Sequence, residues 1–160
     1  MWKKLLGTLW RGAPKRVRRW GVWLAEPRFM VTVGAIVLDE TGRVLLLQHE
    51  FRTGSGWGIP GGFLERGEQP LEALRRELRE EIGVELGAAK LVHVRTLKRP
   101  QQVEIHFRCR LREGSARAQP QSIEINRVGW FDVGALPPEL SSDQRRIIAD
   151  ALAGGANPAE

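Results

Sequence analysis

Apolar residues fall in short β-branched or alternating runs along most of this chain, and at helical spacing in only three places. Residues 30–39 (MVTVGAIVLD) and 43–50 (RVLLLQHE) flank Glu40, Thr41 and Gly42, a pattern that predicts two strands joined by a tight turn. Residues 52–62 (RTGSGWGIPGG) carry five glycines and a proline, which makes them a loop. Beyond a helical segment at 70–82, residues 89–99, 103–111 and 125–133 alternate apolar and polar side chains and read as strands. Residues 141–153 (SSDQRRIIADALA) read as a capped terminal helix. Strands before and after one strong helix predict an α+β or layered α/β/α domain.

The helix at 70–82 carries the candidate chemistry. Pro70 suits its first turn and Gly83 its end. At about 100° per residue, Leu71, Leu74 and Leu78 form one stripe, while Glu77, Glu80 and Glu81 share a face roughly a quarter turn away. Glu77 is spaced i,i+3 from Glu80 and i,i+4 from Glu81, so each pair costs roughly a few tenths of a kcal/mol without a counter-charge. Arg75, Arg76 and Arg79 supply one compensation, a solvated face of mixed ion pairs. A divalent cation supplies the other: three carboxylates offer hard oxygen ligands to Mg²⁺, whose remaining positions go to water or phosphate. The glycines ahead of the helix add backbone carbonyls and let a phosphate chain approach closely.

Composition narrows the class. The 160 residues are enough for one domain with a core, and no apolar run approaches the roughly 18 residues of a membrane span. Cys109 is the sole cysteine, so no internal disulfide can form and a cytoplasmic setting is expected. The net charge of +6 is unevenly placed: residues 1–28 hold eight Lys or Arg against Glu26, giving +7, and the remainder sums to −1. Trp2, Trp10, Trp20 and Trp23 lie in the same basic segment. The expected organisation is therefore a basic, Trp-rich segment over 1–28 and a folded domain over 29–155.

Gly62, then Glu68 after five residues, then RELREEIGV from Arg76 to Val84 after seven more, resembles the Nudix box G-x5-E-x7-R-E-U-x-E-E-x-G-U at every fixed position. GWGIPGG before it and GWFDVGALP after it are similar to Nudix sequences as well. The resemblance implies the Nudix fold, a mixed β-sheet sandwiched between α-helices. It also implies Mg²⁺- or Mn²⁺-dependent hydrolysis of a nucleoside diphosphate linked to another moiety, by attack of water on phosphorus. Carried over residue by residue, it makes Glu80 and Glu81 the principal metal ligands and Glu77 a ligand or base, with the carbonyl of Gly61 or Gly62 as a backbone ligand. Arg76 would hold a carboxylate in its productive rotamer, and Glu68 would be structural. Family members often recruit a further Glu from outside the box. Glu124 is the favoured candidate here and Glu104 its competitor.

The substrate is less legible. Phe51 and Arg52, with Gly61, are the expected substrate contacts; Phe29, Trp57 and Phe107 are further aromatics, with Trp57 read as structural. Pro100 lies near a proline of the family's ADP-ribose hydrolases, so ADP-ribose or a nucleotide sugar is one candidate and a nucleoside triphosphate the other. His49, His93 and His106 show no paired metal spacing and are expected to hydrogen-bond locally; Cys109 is expected to be buried. Residues 2–10 place Trp2, Leu5, Leu6 and Leu9 at helical spacing, interrupted by Gly12, Ala13 and Pro14. The basic segment suits an anionic membrane surface, giving a peripheral location, or a nucleic acid; alternatively its apolar residues pack on the domain or on a second subunit in a homodimer. The rival to an enzyme is a catalytically silent Nudix-like nucleotide sensor or RNA-binding module.

Overall fold

The computed structural model describes residues 10–51 and 56–153. Its elements are α1 (Lys15–Ala25), β1 (Met30–Val37), β2 (Val44–His49), β3 (Trp57–Gly58), α2 (Pro70–Ile82), β4 (Leu86–Leu97), β5 (Gln102–Leu111), β6 (Ile125–Phe131), a short 3₁₀ turn (Val133–Ala135) and α3 (Ser142–Leu152). Two three-stranded sheets form, one in the order β1-β5-β4 and one in the order β3-β2-β6. β1 runs parallel to β5, from Met30 opposite Gln102 to Val37 opposite Cys109, and the other pairings are antiparallel. The fold is thus the expected mixed-sheet α+β class.

Alternation along the central strands sorts their side chains into two cores. Val33, Ala35 and Val37 of β1 and Leu45 and Leu47 of β2 pack with Ala73, Leu74, Leu78 and Ile82 of α2. Ile36, Val44 and Leu46 point the other way and pack with Ile147, Ile148 and Ala151 of α3. Being covered on both faces is why these strands read as nearly continuous apolar runs.

The predicted pairing of β1 with β2 is corrected. The turn between them exists: the Asp39 carboxylate accepts hydrogen bonds from Thr41 N, Thr41 Oγ1, Arg43 N and Arg43 Nε, at 2.8–2.9 Å. Against the desolvation it suffers, those bonds from Thr41 and Arg43 bring its pKa down to about 2. Past the isolated bridge from Leu38 to Val44, however, the strands diverge into separate sheets, each finding a ladder partner remote in sequence.

Local signals set the helix that bears the carboxylates. Pro70 opens α2 and the Glu72 side chain accepts from Gln69 N at 3.0 Å. Gly83, at φ 70°, ends the helix in the left-handed region, with its N–H on the Arg79 carbonyl. At the other end of the domain Ser141 caps α3 through Gln144 N, as its sequence predicts. No helix among the described residues is long and apolar enough to cross a membrane.

Candidate active site

The backbone of residues 60–64 runs along β1: Gly62 O accepts from Val33 N, Pro60 O from Ala35 N, and Val31 O from Leu64 N, each at 2.9 Å. This lays the glycine pair along the free edge of β1, beside α2. Gly61 has φ 145°, and a Cβ there would fall on the Val33 carbonyl oxygen; a Cβ on Gly62 would fall on the Glu77 carboxylate. Gly61 is therefore held to glycine by backbone contact and conformation, whereas a Cβ at Gly62 would have to displace the Glu77 carboxylate. Gly61 N–H points at α2 and donates to Glu81 Oε2 at 3.2 Å.

A cleft of about 560 Å³ opens over this junction. It is lined by Glu65, Glu77, Glu80, Glu81 and Glu124, by Gly61, Gly62, Phe63 and Leu64, and by Arg76, His49, Phe51 and Ser122. The structure thus brings Phe51, Gly61, Gly62, Arg76, Glu77, Glu80, Glu81 and Glu124 together; Glu104 lies in a different cleft, and Arg52 lies outside the described residues. Glu124 arrives from 43 positions beyond Glu81 because the segment before β6 docks on the end of α2, with Gln121 N on Glu81 O and Gln119 N on Ile82 O.

The three helix carboxylates, equivalent in the sequence pattern, differ in the structure. Glu81 is buried, 8% exposed, while the Glu77 side chain is 16% and the Glu80 side chain 60% exposed. Burial raises the pKa of Glu77, Arg76 opposes the rise, and the Glu80 and Glu68 charges add to it. Arg76 is the counter-charge. Its Nε and Nη2 hold Glu68 at 3.0 Å, its Nη1 reaches Glu77 at 2.9 Å and Glu80 at 3.3 Å, and its Nη2 also donates to the Phe63 carbonyl at 3.0 Å. These contacts push the guanidinium pKa further up, with Glu68 the largest cause. Arg79 turns away to Glu85, so the solvated mixed-pair reading describes only the outer edge of the helix.

Five carboxylates and one guanidinium, itself shared with Glu68, line the described part of the cleft. That excess of hard anionic oxygen is the donor chemistry of a Mg²⁺ or Mn²⁺ site. Among the described residues no three His, Cys, Asp or Glu side chains are already gathered as a metal cluster.

A second cleft, of about 510 Å³, shares Gly61, Gly62 and Phe63 with the first. Glu104 lies here, paired with Arg95 at 2.6 Å, and Arg95 reaches Asp143 at 3.1 Å. Gln102 donates to Thr32 Oγ1 and to Glu104. Sequence reasoning singled out neither Arg95, Gln102, Asp143 nor Gln144. The last accepts from Ile59 N across 85 positions, a contact with no local sequence signal.

The remaining candidates fall as follows. Trp57 packs edge-on against Phe131, centroids 5.0 Å apart, in the structural place expected, and Phe107 packs against the core. Cys109 is buried, which raises its thiol pKa to about 12. The expectation of local hydrogen bonds fails for two histidines. His93 and His106 face each other across β4 and β5, ring centroids 5.7 Å apart, and His93 Nε2 and His106 Nδ1 meet no hydrogen-bond partner among the described residues. Desolvation, with His93 and Arg95 nearby, lowers the His106 pKa to about 4.

A fold of one mixed and one antiparallel sheet between helices, with a glycine pair set against a carboxylate-bearing helix, defines a Nudix hydrolase. The chain belongs to the NUDIX domain family, whose model matches residues 28–151. It is 32% identical over 139 residues to a MutT-like protein of Streptomyces ambofaciens, covering 84% of this chain and 83% of that protein. It is 35% identical over 126 residues to an RNA pyrophosphohydrolase of Halorhodospira halophila, covering 78% of this chain but only 61% of that protein. The crystal structure of a NUDIX hydrolase from Nitrosomonas europaea superposes with a TM-score of 0.69 at 26% identity, covering 81% of this chain and 75% of the other.

Proposed function

We propose that this protein hydrolyses a pyrophosphate bond in a nucleoside diphosphate linked to another moiety, with Mg²⁺ or Mn²⁺ held by Glu77, Glu80, Glu81 and the Gly61 carbonyl. The observation that carries the reading is the convergence of the helix carboxylates and Glu124 on one cleft against the glycine pair. Of the two glycines, Gly61 is the better backbone ligand, because the Gly62 carbonyl is already turned to Val33 N. When bound, the cation polarises phosphoryl oxygens and lowers the pKa of a water.

Glu81 is held in place by the Gly61 N–H, and Arg76 fixes the Glu77 carboxylate while leaving Glu80 exposed enough to turn toward Glu81. Burial raises the Glu77 pKa against the pull of Arg76, and beside a bound cation that carboxylate would orient the attacking water. Glu124 faces the same cleft and assists there, whereas Glu104 is neutralised by Arg95 in the neighbouring one. The two clefts meet along Gly61, Gly62 and Phe63, so the phosphates cross the glycine ridge with one end of the substrate in each cleft. Phe51, 72% exposed at the cleft, offers a stacking face, and Arg52 adjoins it in sequence. ADP-ribose, nucleotide sugars and nucleoside triphosphates all satisfy this layout. The buried lone cysteine fits a reducing, cytoplasmic setting.

The test is a Mg²⁺-dependent panel of ADP-ribose, nucleotide sugars, triphosphates and dinucleoside polyphosphates, with products separated chromatographically. Glu81→Gln, which keeps an acceptor for Gly61 N–H, is expected to lower turnover by more than about 100-fold without moving the melting temperature. Full turnover in that variant refutes the assigned carboxylate face. Nucleotide binding unchanged by chelator, with no product from any substrate, would instead establish a silent sensor.

A further inference from the structure

We propose that α1 docks the protein on an anionic lipid surface, its apolar face entering the headgroup region and its basic arc facing the phosphates. The inference is independent of the hydrolytic reading. α1 buries none of its residues; Val17, Trp20, Val22, Trp23 and Leu24 are 51–70% exposed, so packing on the domain does not account for them.

The order of residues makes this helix two-sided. At about 100° per residue, Val17, Gly21 and Leu24 fall within an arc of about 60° with Trp20 at its margin, and Lys15, Arg18 and Arg19 lie across from it with Val22 as the one apolar residue among them. Trp10 folds onto the first arc, its ring so close to Gly21 that a Cβ there would lie 2.7 Å from it. Trp20 and Trp23 meet edge-on, centroids 5.5 Å apart, between the arcs, and the Arg28 guanidinium lies 3.8 Å from the centre of the Trp23 ring. Indoles at the boundary of an apolar and a cationic face match the polarity gradient of a membrane interface.

Charge and side-chain type select the occupant. Residues 1–28 carry +7 on a protein whose remainder sums to −1, so attraction to an anionic surface is confined to this segment. The apolar arc is aliphatic as well as aromatic. Leu24, the most exposed apolar side chain of α1, and Val17 gain nothing from base stacking but do gain from leaving water. That favours lipid over nucleic acid.

The experiment is sedimentation of the full chain with vesicles of phosphatidylcholine alone and of three parts phosphatidylcholine to one part phosphatidylglycerol. Partition into the anionic vesicles is expected to exceed that into neutral ones by at least about tenfold, since each Lys or Arg near an anionic surface is worth about fivefold. Trp20→Ser combined with Leu24→Ser should lower it about tenfold or more, as should Lys15→Glu with Arg18→Glu. Turnover and melting temperature should stay unchanged, because α1 neither lines the cleft nor contributes to the cores. Equal partition into both vesicles overturns the proposal. So does absence of vesicle binding, whether the chain instead retains a single-stranded RNA oligonucleotide or forms a dimer, by light scattering, that Trp20→Ser with Leu24→Ser dissociates.

Discussion

Replacing Arg76 with Met removes one charge and keeps most of the side chain's volume, so it isolates what the guanidinium does. Five contacts are lost: two to Glu68, one each to Glu77 and Glu80, and one to the Phe63 carbonyl. A fully buried ion pair broken on one side costs about 3–5 kcal/mol, whereas an exposed pair contributes about 0–1 kcal/mol. The Arg76 side chain is 21% exposed and Glu80 is mostly in water, which screens part of the loss and places the cost near 2 kcal/mol. For a protein of this length that is about 4–8 °C in melting temperature. Arg76→Lys should recover only a minority of it, because a single ammonium cannot span Glu68 bidentately while reaching Glu77. Thermal unfolding in metal-free buffer at fixed pH is the assay, with turnover measured alongside. A melting temperature within about 1 °C of the parent in both variants would refute the claim that Arg76 balances the carboxylate face.

Gly62→Ala should lower turnover about 10–100-fold by displacing the Glu77 carboxylate, while Gly61→Ala, at φ 145° and against the Val33 carbonyl, should cost about 2 kcal/mol in chemical denaturation; equal behaviour of the two would contradict the geometry. The unfolded chain takes up the His106 proton near 6.5 and the folded protein only near 4. Stability is therefore complete above 6.5 and lost as pH falls toward 4, by about 2 kcal/mol at pH 5. His106→Gln should flatten that part of the urea-unfolding profile, and an unchanged slope would exclude His106 as its source. Glu124→Gln should reduce turnover more than Glu104→Gln, whereas Glu104→Gln, which breaks the pair with Arg95, should cost more in melting temperature; the reverse order would move the assisting carboxylate to the second cleft.

The sequence alone determined what depends on local periodicity and short-range sterics. The limits of α2 follow from Pro70 and Gly83, the cap of α3 from Ser141, and the gathering of Glu77, Glu80 and Glu81 on one helix face from the turn of the helix itself. The spacing of the box located the glycine pair. Contacts between elements remote in sequence set the rest. Alternation cannot say which strand pairs with which, so β1 and β2, neighbours through a well-made turn, part into different sheets. Residue type cannot grade burial, so three like glutamates became one buried, one half-screened and one in water. And a choice between Glu124 and Glu104 depended on contacts across tens of residues: the docking of residues 119–121 on the end of α2 carries the first to the carboxylate cleft, and the salt bridge to Arg95 engages the second in the neighbouring one. Those contacts exist only once the chain has closed its loops, because the partners that compete for each charge are set by the packing of the sheets and not by the order of the residues.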